Sequence, residues 1–213
     1  GDGDRALFID HSGNTVDGDH ILAIAGLHMK ASGKIQPASR AGIVTTVMAN
    51  FGIERLMKKE NISLYRTKVG DKYVYEKMLE TDSLVGGEQS GHIIFREHSA
   101  TGDGIISALK LIEFMSKENK PLSELASVMK KYPQTLLNLP VERKIPLEKL
   151  SILQNKLDEI HANLNGNGRI VLRYSGTENL LRIMIEGREA GKIEKYAKEI
   201  ASVADEEIKK ELS

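Results

Sequence analysis

Residues 42–47 read GIVTTV, residues 48–59 MANFGIERLMKK and residues 64–69 LYRTKV, and this strand–helix–strand succession decides the fold. After Gly42 every residue of the first run is β-branched, and it reads as a buried strand. Phe51, Leu56 and Met57 then recur at helical spacing from Met48 to about Lys59. Leu64 to Val69 alternates like a second strand. Working outward, Asp71 reads as the cap of a helix over about 72–81, Ser83-Leu84-Val85 as a short strand, and His92 to Arg96 as another. Upstream, Asp19 reads as the cap of a helix over 20–31, carried by Ile21, Leu22, Ile24, Ala25 and His28. Before it, residues 5–10 read as a short strand, and His11 to Gly18 as a turn-rich connection. Downstream, Asp103 opens a helix ending near Glu118, and Pro121 opens one running to about Lys131. Apolar residues at Ile105, Ile106, Leu109, Ile112, Phe114 and Met115 are dense enough to predict packing on more than one side of the first of these helices. Strands alternating with helices over 20–118 are the signature of an α/β domain.

A different pattern follows Tyr132-Pro133, where the preceding helix must end. Thr135 to Glu142 reads as a strand and Leu147 to Leu164 as one long amphipathic helix. Asn165-Gly166-Asn167-Gly168 is a turn, Arg169 to Tyr174 and Leu180 to Glu186 are strands, and a last helix spans about Lys192 to Leu212. The order β-α-β-β-α predicts a smaller α+β domain, with the boundary near 130–136.

Composition narrows the function. The 213 residues carry 30 Lys+Arg against 30 Asp+Glu, so a broad electrostatic claim on nucleic acid or anionic lipid has no basis. The lack of Trp and only 5% aromatic residues argue against stacking platforms for single-stranded nucleic acid. Zero Cys excludes a disulfide framework, a thiolate metal site and a cysteine nucleophile, and fits a reducing compartment. No apolar run approaches the roughly 20 residues that span a bilayer. The opening Gly1-Asp2-Gly3-Asp4-Arg5 has neither Met nor signal-peptide character and runs directly into a strand pattern, so a preceding portion is expected.

Three polar loops hold residue types suited to chemistry. Asp2 and Asp4, separated by one Gly, offer hard oxygens for Mg²⁺ or Ca²⁺, with Arg5 available for a phosphate nearby; the same string also reads as a solvated terminus. Similar strings at 17–19 and 102–104 read as turns that cap helices. The second loop, Gly86-Gly87-Glu88-Gln89-Ser90-Gly91-His92, lies between strands. Glu88 and Ser90 can bond hydroxyls of a polyhydroxylated ligand and His92 can move a proton, while a wide hairpin with a packed His is the plainer reading. The third, Arg173-Tyr174-Ser175-Gly176-Thr177-Glu178 with Arg182 beyond it, pairs an anion nest with two guanidinium forks, or else is a hairpin tip with a satisfied Glu–Arg pair. Thr67-Lys68-Val69-Gly70-Asp71 follows a strand and brings Lys68 toward a ligand.

In this order and spacing the loops resemble those of the α-D-phosphohexomutase superfamily, over essentially the whole chain. Asp2-Gly3-Asp4-Arg5 resembles the end of its metal loop, Gly87 to His92 its sugar-recognition loop, and Arg173 to Glu178 its phosphate-recognition loop. Gln89 and the Ser-Gly-Thr-Glu string favour the glucosamine branch over the glucose and mannose branches; Tyr174 and Asn179 stand where Pro is usual. The resemblance implies a four-domain enzyme. Residues 1–15 would be the tail of the second domain, residues 16–132 the three-layer α/β third domain that recognises sugar, and residues 133–213 a fourth, TATA-box-binding-protein-like α+β domain that recognises phosphate. It implies interconversion of glucosamine 6-phosphate and glucosamine 1-phosphate through a phosphoserine and a bisphosphorylated sugar, in the cytoplasm, for UDP-N-acetylglucosamine. Asp2 and Asp4 would hold Mg²⁺ and Arg5 a phosphate beside it. Glu88, Ser90 and Lys68 would bind sugar phosphate; Arg173, Ser175, Gly176, Thr177 and Arg182 would bind the non-reacting phosphate; His92 would move a proton or orient the sugar. The phosphoserine domain and the first metal-loop Asp are absent from these residues, so this chain alone is expected to be inert. A glucose or mannose mutase, and a non-catalytic sugar-phosphate binding module, are the competing readings.

Overall fold

The computed structural model describes residues 1–36 and 39–211. The chain divides into two compact units, Gly1–Lys131 and Tyr132–Ser213. No helix among the described residues is long and apolar enough to cross a membrane.

The first unit opens with β1 (Phe8–Ile9) and β2 (Thr15–Val16), an antiparallel pair in which Phe8 faces Val16. The predicted strand over 5–10 is thus two residues long, and the connection after it holds a strand of its own. Then follow α1 (Gly18–Ala31), β3 (Gly42–Thr46), α2 (Phe51–Lys59), β4 (Ser63–Thr67), α3 (Asp71–Thr81), β5 (Val85–Gly87), β6 (Ile93–Phe95), α4 (Gly104–Glu118) and α5 (Leu122–Ala126). The sheet order is β4-β3-β5-β6, with β3 parallel to β4 and β5, and β6 antiparallel to β5.

Strand periodicity divides the core in two. Ile43, Val85, Ile93 and Phe95 face α1, α2, α4 and α5 through Leu22, Ile53, Leu111, Phe114 and Leu125. Val44 and Ile94 face α3 through Val74 and Met78. This is the predicted three-layer arrangement. The crossovers β3–α2–β4 and β4–α3–β5 run in opposite directions across the sheet, so crossovers of one hand put α2 and α3 on opposite faces.

Several local expectations are corrected. Asp17, not Asp19, caps α1: its carboxylate accepts from the His20 amide, and His20 Nδ1 lies 2.8 Å from it. Asp19 sits inside the helix, fully buried, and accepts from the Asn50 amide at 2.8 Å. Helix α2 begins at Phe51 rather than Met48, because Asn50 is its cap and residues 48–50 turn back on Thr46. The cap position of α3 is Gly70, at φ 133°, and Asp71 is the first helical residue. The strand expected at 83–85 is shifted to 85–87, because the Ser83 hydroxyl is drawn aside to accept from the Gly42 amide. Helix α5 stops at Ala126, and the Ser127 hydroxyl bonds back to the Glu124 carbonyl. Helix α4 does not pack on several sides: Leu111 and Phe114 are buried, whereas Ile105, Leu109 and Ile112 are 73%, 61% and 60% exposed.

The second unit comprises β7 (Gln134–Pro140), a 3₁₀ turn (Leu147–Lys149), α6 (Ser151–Leu164), β8 (Gly168–Tyr174), β9 (Leu180–Gly187) and α7 (Ala190–Lys210). Its antiparallel sheet has the order β7-β9-β8. Leu181, Ile183 and Ile185 of the central strand point into a core built with Leu153, Ile160, Ile193, Ala197 and Ile200 of the two helices. The predicted single helix over 147–164 is broken at Leu150. There α6 lacks a side-chain cap of its own, and the buried Glu207 carboxylate of α7 accepts from the Ile152 and Leu153 amides instead, at 3.0 and 2.8 Å. The expected end of the last helix at Leu212 lies outside the described residues.

Candidate functional site

In the first unit four segments meet at the β5–β6 hairpin. Glu88 and His92 close it, with the Glu88 amide donating to the His92 carbonyl at 3.0 Å. The N-terminal loop is stitched to it: Arg5 and His92 form an antiparallel bridge, and the Ala6 amide donates to the Gly91 carbonyl at 3.1 Å. The Gly104 amide, at the start of α4, donates to the Gly3 carbonyl at 2.9 Å, and the Gly18 amide to Gln89 at 3.1 Å. The Asp2–Arg5 and Glu88–His92 motifs, 80 and more positions apart in sequence, therefore form one surface.

The Glu88 carboxylate is partly committed. One oxygen accepts from the Gly70 amide at 3.0 Å and the other lies 3.5 Å from the Ser90 hydroxyl. The bond to Gly70 ties the Lys68-Val69-Gly70 loop to the Glu88–His92 segment. Lys68 is exposed and lines a hollow of about 310 Å³ with Arg66, Thr67, Tyr73 and Lys77.

His92 is 5% exposed, and its Nδ1 has no hydrogen-bond partner among the described residues. Its Nε2 lies 3.9 Å from an Asp4 carboxylate oxygen. The ring is packed against Gly102, where a Cβ would stand 2.5 Å from Nε2, so only glycine fits there. The imidazole is thus aimed at the N-terminal acidic loop. Arg5 lies 3.7 Å from Asp4. Hydrogen bonding to Asp4 and to its own backbone holds the Asp2 carboxyl below the usual carboxylate range. Two carboxylates one residue apart in a loop offer hard oxygens to a cation, but no group of three or more His, Cys, Asp or Glu among the described residues is arranged to hold one. Any further ligands for such an ion come from outside this set.

In the second unit the β8–β9 hairpin carries Arg173 and Arg182 directly opposite each other. Like charges in register destabilise a strand pair unless something anionic joins them. Burial, and then the neighbouring Arg182, lower the Arg173 guanidinium from its ordinary value. Arg182 donates to Glu178 at 2.9 Å and to the Ser175 hydroxyl at 3.3 Å, and its buried Nε has no partner among the described residues. Ser175 is 3% exposed and its hydroxyl also accepts from the Glu178 amide, so that hydroxyl is engaged within the loop. Gly176 and Thr177 are exposed, and their amides have no partner among the described residues. Sequence reasoning missed Lys144, whose Nζ donates to the Ser175 carbonyl at 2.7 Å; a lysine between Val141 and Pro146 is the only signal it left.

The chain is thus a three-layer α/β unit with a glycine-rich acidic hairpin, followed in sequence by an α+β unit whose hairpin presents unpaired donors. Two family models match: the phosphoglucomutase/phosphomannomutase α/β/α domain III over residues 17–132, and the C-terminal domain of the same family over residues 136–203. The chain belongs to this family, the α-D-phosphohexomutases, and within it is phosphoglucosamine-mutase-like. It is 45% identical over 211 residues to the phosphoglucosamine mutase of Clostridium botulinum (strain Loch Maree / Type A3), covering 98% of this chain and 46% of that protein. To the phosphoglucosamine mutase of Chlamydia trachomatis serovar D it is 43% identical over 213 residues, 100% of this chain and 46% of the relative. The chain thus spans about half the length of the curated relatives it matches. Its fold matches the structure of Aspergillus fumigatus N-acetylphosphoglucosamine mutase in complex with GlcNAc-6P and magnesium, with TM-score 0.76 and 22% identity, over 96% of this chain and 50% of that one.

Proposed function

We propose that this chain is the C-terminal half of a phosphoglucosamine mutase, which interconverts glucosamine 6-phosphate and glucosamine 1-phosphate for UDP-N-acetylglucosamine synthesis. Residues 1–15 end the second domain, residues 16–132 recognise the sugar, and residues 133–213 grip the phosphate that does not react. The observation that carries the proposal is the β8–β9 hairpin. Two guanidinium groups stand in register, and the unpartnered N–H groups of Gly176, Thr177 and Arg182 Nε leave a positive, donor-rich tip. A sugar phosphate supplies the missing acceptors and charge.

In this reading Arg173, Ser175, Gly176, Thr177 and Arg182 form the phosphate grip, with the Ser175 hydroxyl orienting Arg182 and Glu178. Glu88, Ser90 and Lys68 take the sugar end, and Glu88 keeps one lone-pair face for a hydroxyl beyond its bond to Gly70. Remote binding of the phosphate fixes the distance to the reacting end, which is how non-reacting contacts aid transfer. Asp2 and Asp4 are the chain's share of a Mg²⁺ site, and Arg5 faces a phosphate beside it. When bound, the cation would offset charge on the transferring phosphoryl group. His92, aimed at Asp4, steadies the acidic loop from below. In this reading the serine that carries the phosphoryl group through a bisphosphorylated sugar lies in a part of the enzyme other than these residues.

The test is turnover. The chain alone, with Mg²⁺ and a hexose bisphosphate primer, is expected to be inert. The same residues joined to the N-terminal half of a curated relative are expected to turn over glucosamine 6-phosphate faster than glucose or mannose 6-phosphate. Turnover by the isolated chain, or a preference for either neutral sugar, sinks the reading.

A further inference from the structure

The hairpin tip of the second unit is not free-standing. After β7 the chain leaves the sheet as Val141-Glu142-Arg143-Lys144-Ile145 and returns to the core before Pro146. Its two ends, Val141 and Ile145, are buried at 9% and 8% exposure in the unit's hydrophobic core. Between these anchors Glu142, Arg143 and Lys144 are exposed. Three hydrogen bonds tie this strap to the hairpin. The Val141 amide donates to the Asn179 carbonyl at 2.9 Å, Lys144 Nζ donates to the Ser175 carbonyl at 2.7 Å, and the Tyr174 hydroxyl donates to the Ile145 carbonyl at 2.7 Å. The bonds fall on both sides of the tip. Residues 174 and 175 lead into it and Asn179 leads out, so the strap fixes both ends of the segment that exposes the Gly176 and Thr177 amides.

We infer that Lys144 is a positioning residue for the phosphate grip, holding the Ser175 peptide so that the following two N–H groups face a common anion. This rests on reading residues 173–178 as the phosphate site. Two physical arguments converge on it. A tip with glycine at its second position, and with the Gly176 and Thr177 amides unbonded among the described residues, loses backbone entropy when it orders around a ligand, and a tether made beforehand removes part of that cost. Lysine also fits where a neutral donor would not suffice. Its ammonium has two N–H groups beyond the one spent on the Ser175 carbonyl, and it adds a cation to a hairpin that already carries Arg173 and Arg182 in register. Without an anion that arrangement is electrostatically uncomfortable, and with one it is complementary.

The experiment uses the full 213-residue chain, ¹⁵N-labelled, as wild type, Lys144→Met and Lys144→Arg, with inorganic phosphate as the probe. Backbone relaxation reports order at Gly176 and Thr177, and chemical shifts of the same amides report binding. In Lys144→Met the order parameters are expected to fall from about 0.85 to below about 0.6, with α7 unchanged as the folding control. Phosphate affinity is expected to drop about tenfold, a loss that persists in 0.5 M NaCl, where screening acts within about 4 Å and a bare loss of positive field would largely vanish. Lys144→Arg, which can still reach the Ser175 carbonyl, is expected to restore both. An equally ordered tip in Lys144→Met overturns the inference. So does a loosened tip with undiminished phosphate affinity, or a loss that disappears in high salt. If the tip loosens as expected but the wild-type chain shows no phosphate-dependent shifts, the proposed function falls while the strap's hold on the loop stands.

Discussion

Asp19 offers a quantitative test of the first unit. Its carboxylate is fully buried inside α1, with one oxygen accepting from the Asn50 amide and the other without a partner among the described residues. Burial, reinforced by the charge of Asp17 and only partly countered by the Asn50 amide, Lys131 and Arg66, pushes its pKa up to about 6 from 3.8. A carboxyl whose folded pKa lies above its unfolded one stabilises the fold relative to the ionised form below pH 3.8. That contribution is lost as pH rises toward 6 and is gone above it. The shift of roughly 2 units corresponds to about 3 kcal/mol. The perturbation is Asp19→Asn, which keeps an acceptor for the Asn50 amide and removes the titration. Its amide –NH₂ lacks a partner, which adds a penalty of about 1–3 kcal/mol, but one that does not change with pH. The informative quantity is therefore the stability difference between variant and wild type as a function of pH. Urea denaturation of both proteins between pH 3 and 8, followed by circular dichroism, is expected to show that difference moving in the variant's favour by about 3 kcal/mol, levelling off above pH 6. The unfolding of the second unit, which lacks Asp19, is expected to be identical in the two proteins. A difference that stays flat from pH 3 to 8 refutes the reasoning.

Other consequences follow from single contacts. At Gly18 a Cβ would stand 1.9 Å from the Glu88 carbonyl oxygen; Gly18→Ala is therefore expected to destabilise the first unit by about 3 kcal/mol in urea melts and to loosen the β5–β6 hairpin in amide exchange. Glu207→Ala removes the acceptor that serves the Ile152 and Leu153 amides, and is expected to cost the second unit about 2 kcal/mol while leaving the first unchanged, with Glu207→Gln intermediate. Glu113, held to about 2 by hydrogen bonds from Lys110 and then Lys117, is stabilising above pH 4.5 and ceases to be so as pH falls through 2. Its side chain is 36% exposed, so Glu113→Gln is expected to cost no more than about 0.5 kcal/mol at pH 7 and nothing measurable in 1 M NaCl, as thermal melts at two salt concentrations will show.

Much of the architecture was legible because it is written in local periodicity. The GIVTTV strand, the Leu181-Ile183-Ile185 alternation and the long α7 are determined by which residues repeat on one face. What escaped was decided by distant partners. Asp17 and Asp19 flank the same glycine and either suits a cap. Asp17 takes the role with His20 and Lys131 as partners, while Asp19 is drawn inward by the Asn50 amide. Nothing local marks the break before α6, since the acceptor there comes from Glu207, 55 positions away. Density of apolar residues on α4 did not reveal that Ile105, Leu109 and Ile112 form an exposed stripe. The site divides likewise. Its motifs stand out as polar, glycine-rich strings, but the aim of His92 at Asp4, the use of Glu88 by Gly70, and the grip of Lys144 on Ser175 are tertiary facts.

The role proposed for the second unit, binding the phosphate of a hexosamine phosphate, is open to direct measurement. Its most direct test is a titration of the ¹⁵N-labelled chain with glucosamine 6-phosphate, and in parallel with glucosamine. Saturable shifts of the Gly176 and Thr177 amides are expected with the phosphorylated sugar alone, abolished by Arg182→Ala. Equal shifts with both sugars, or saturable binding that leaves these two amides untouched, would contradict that role.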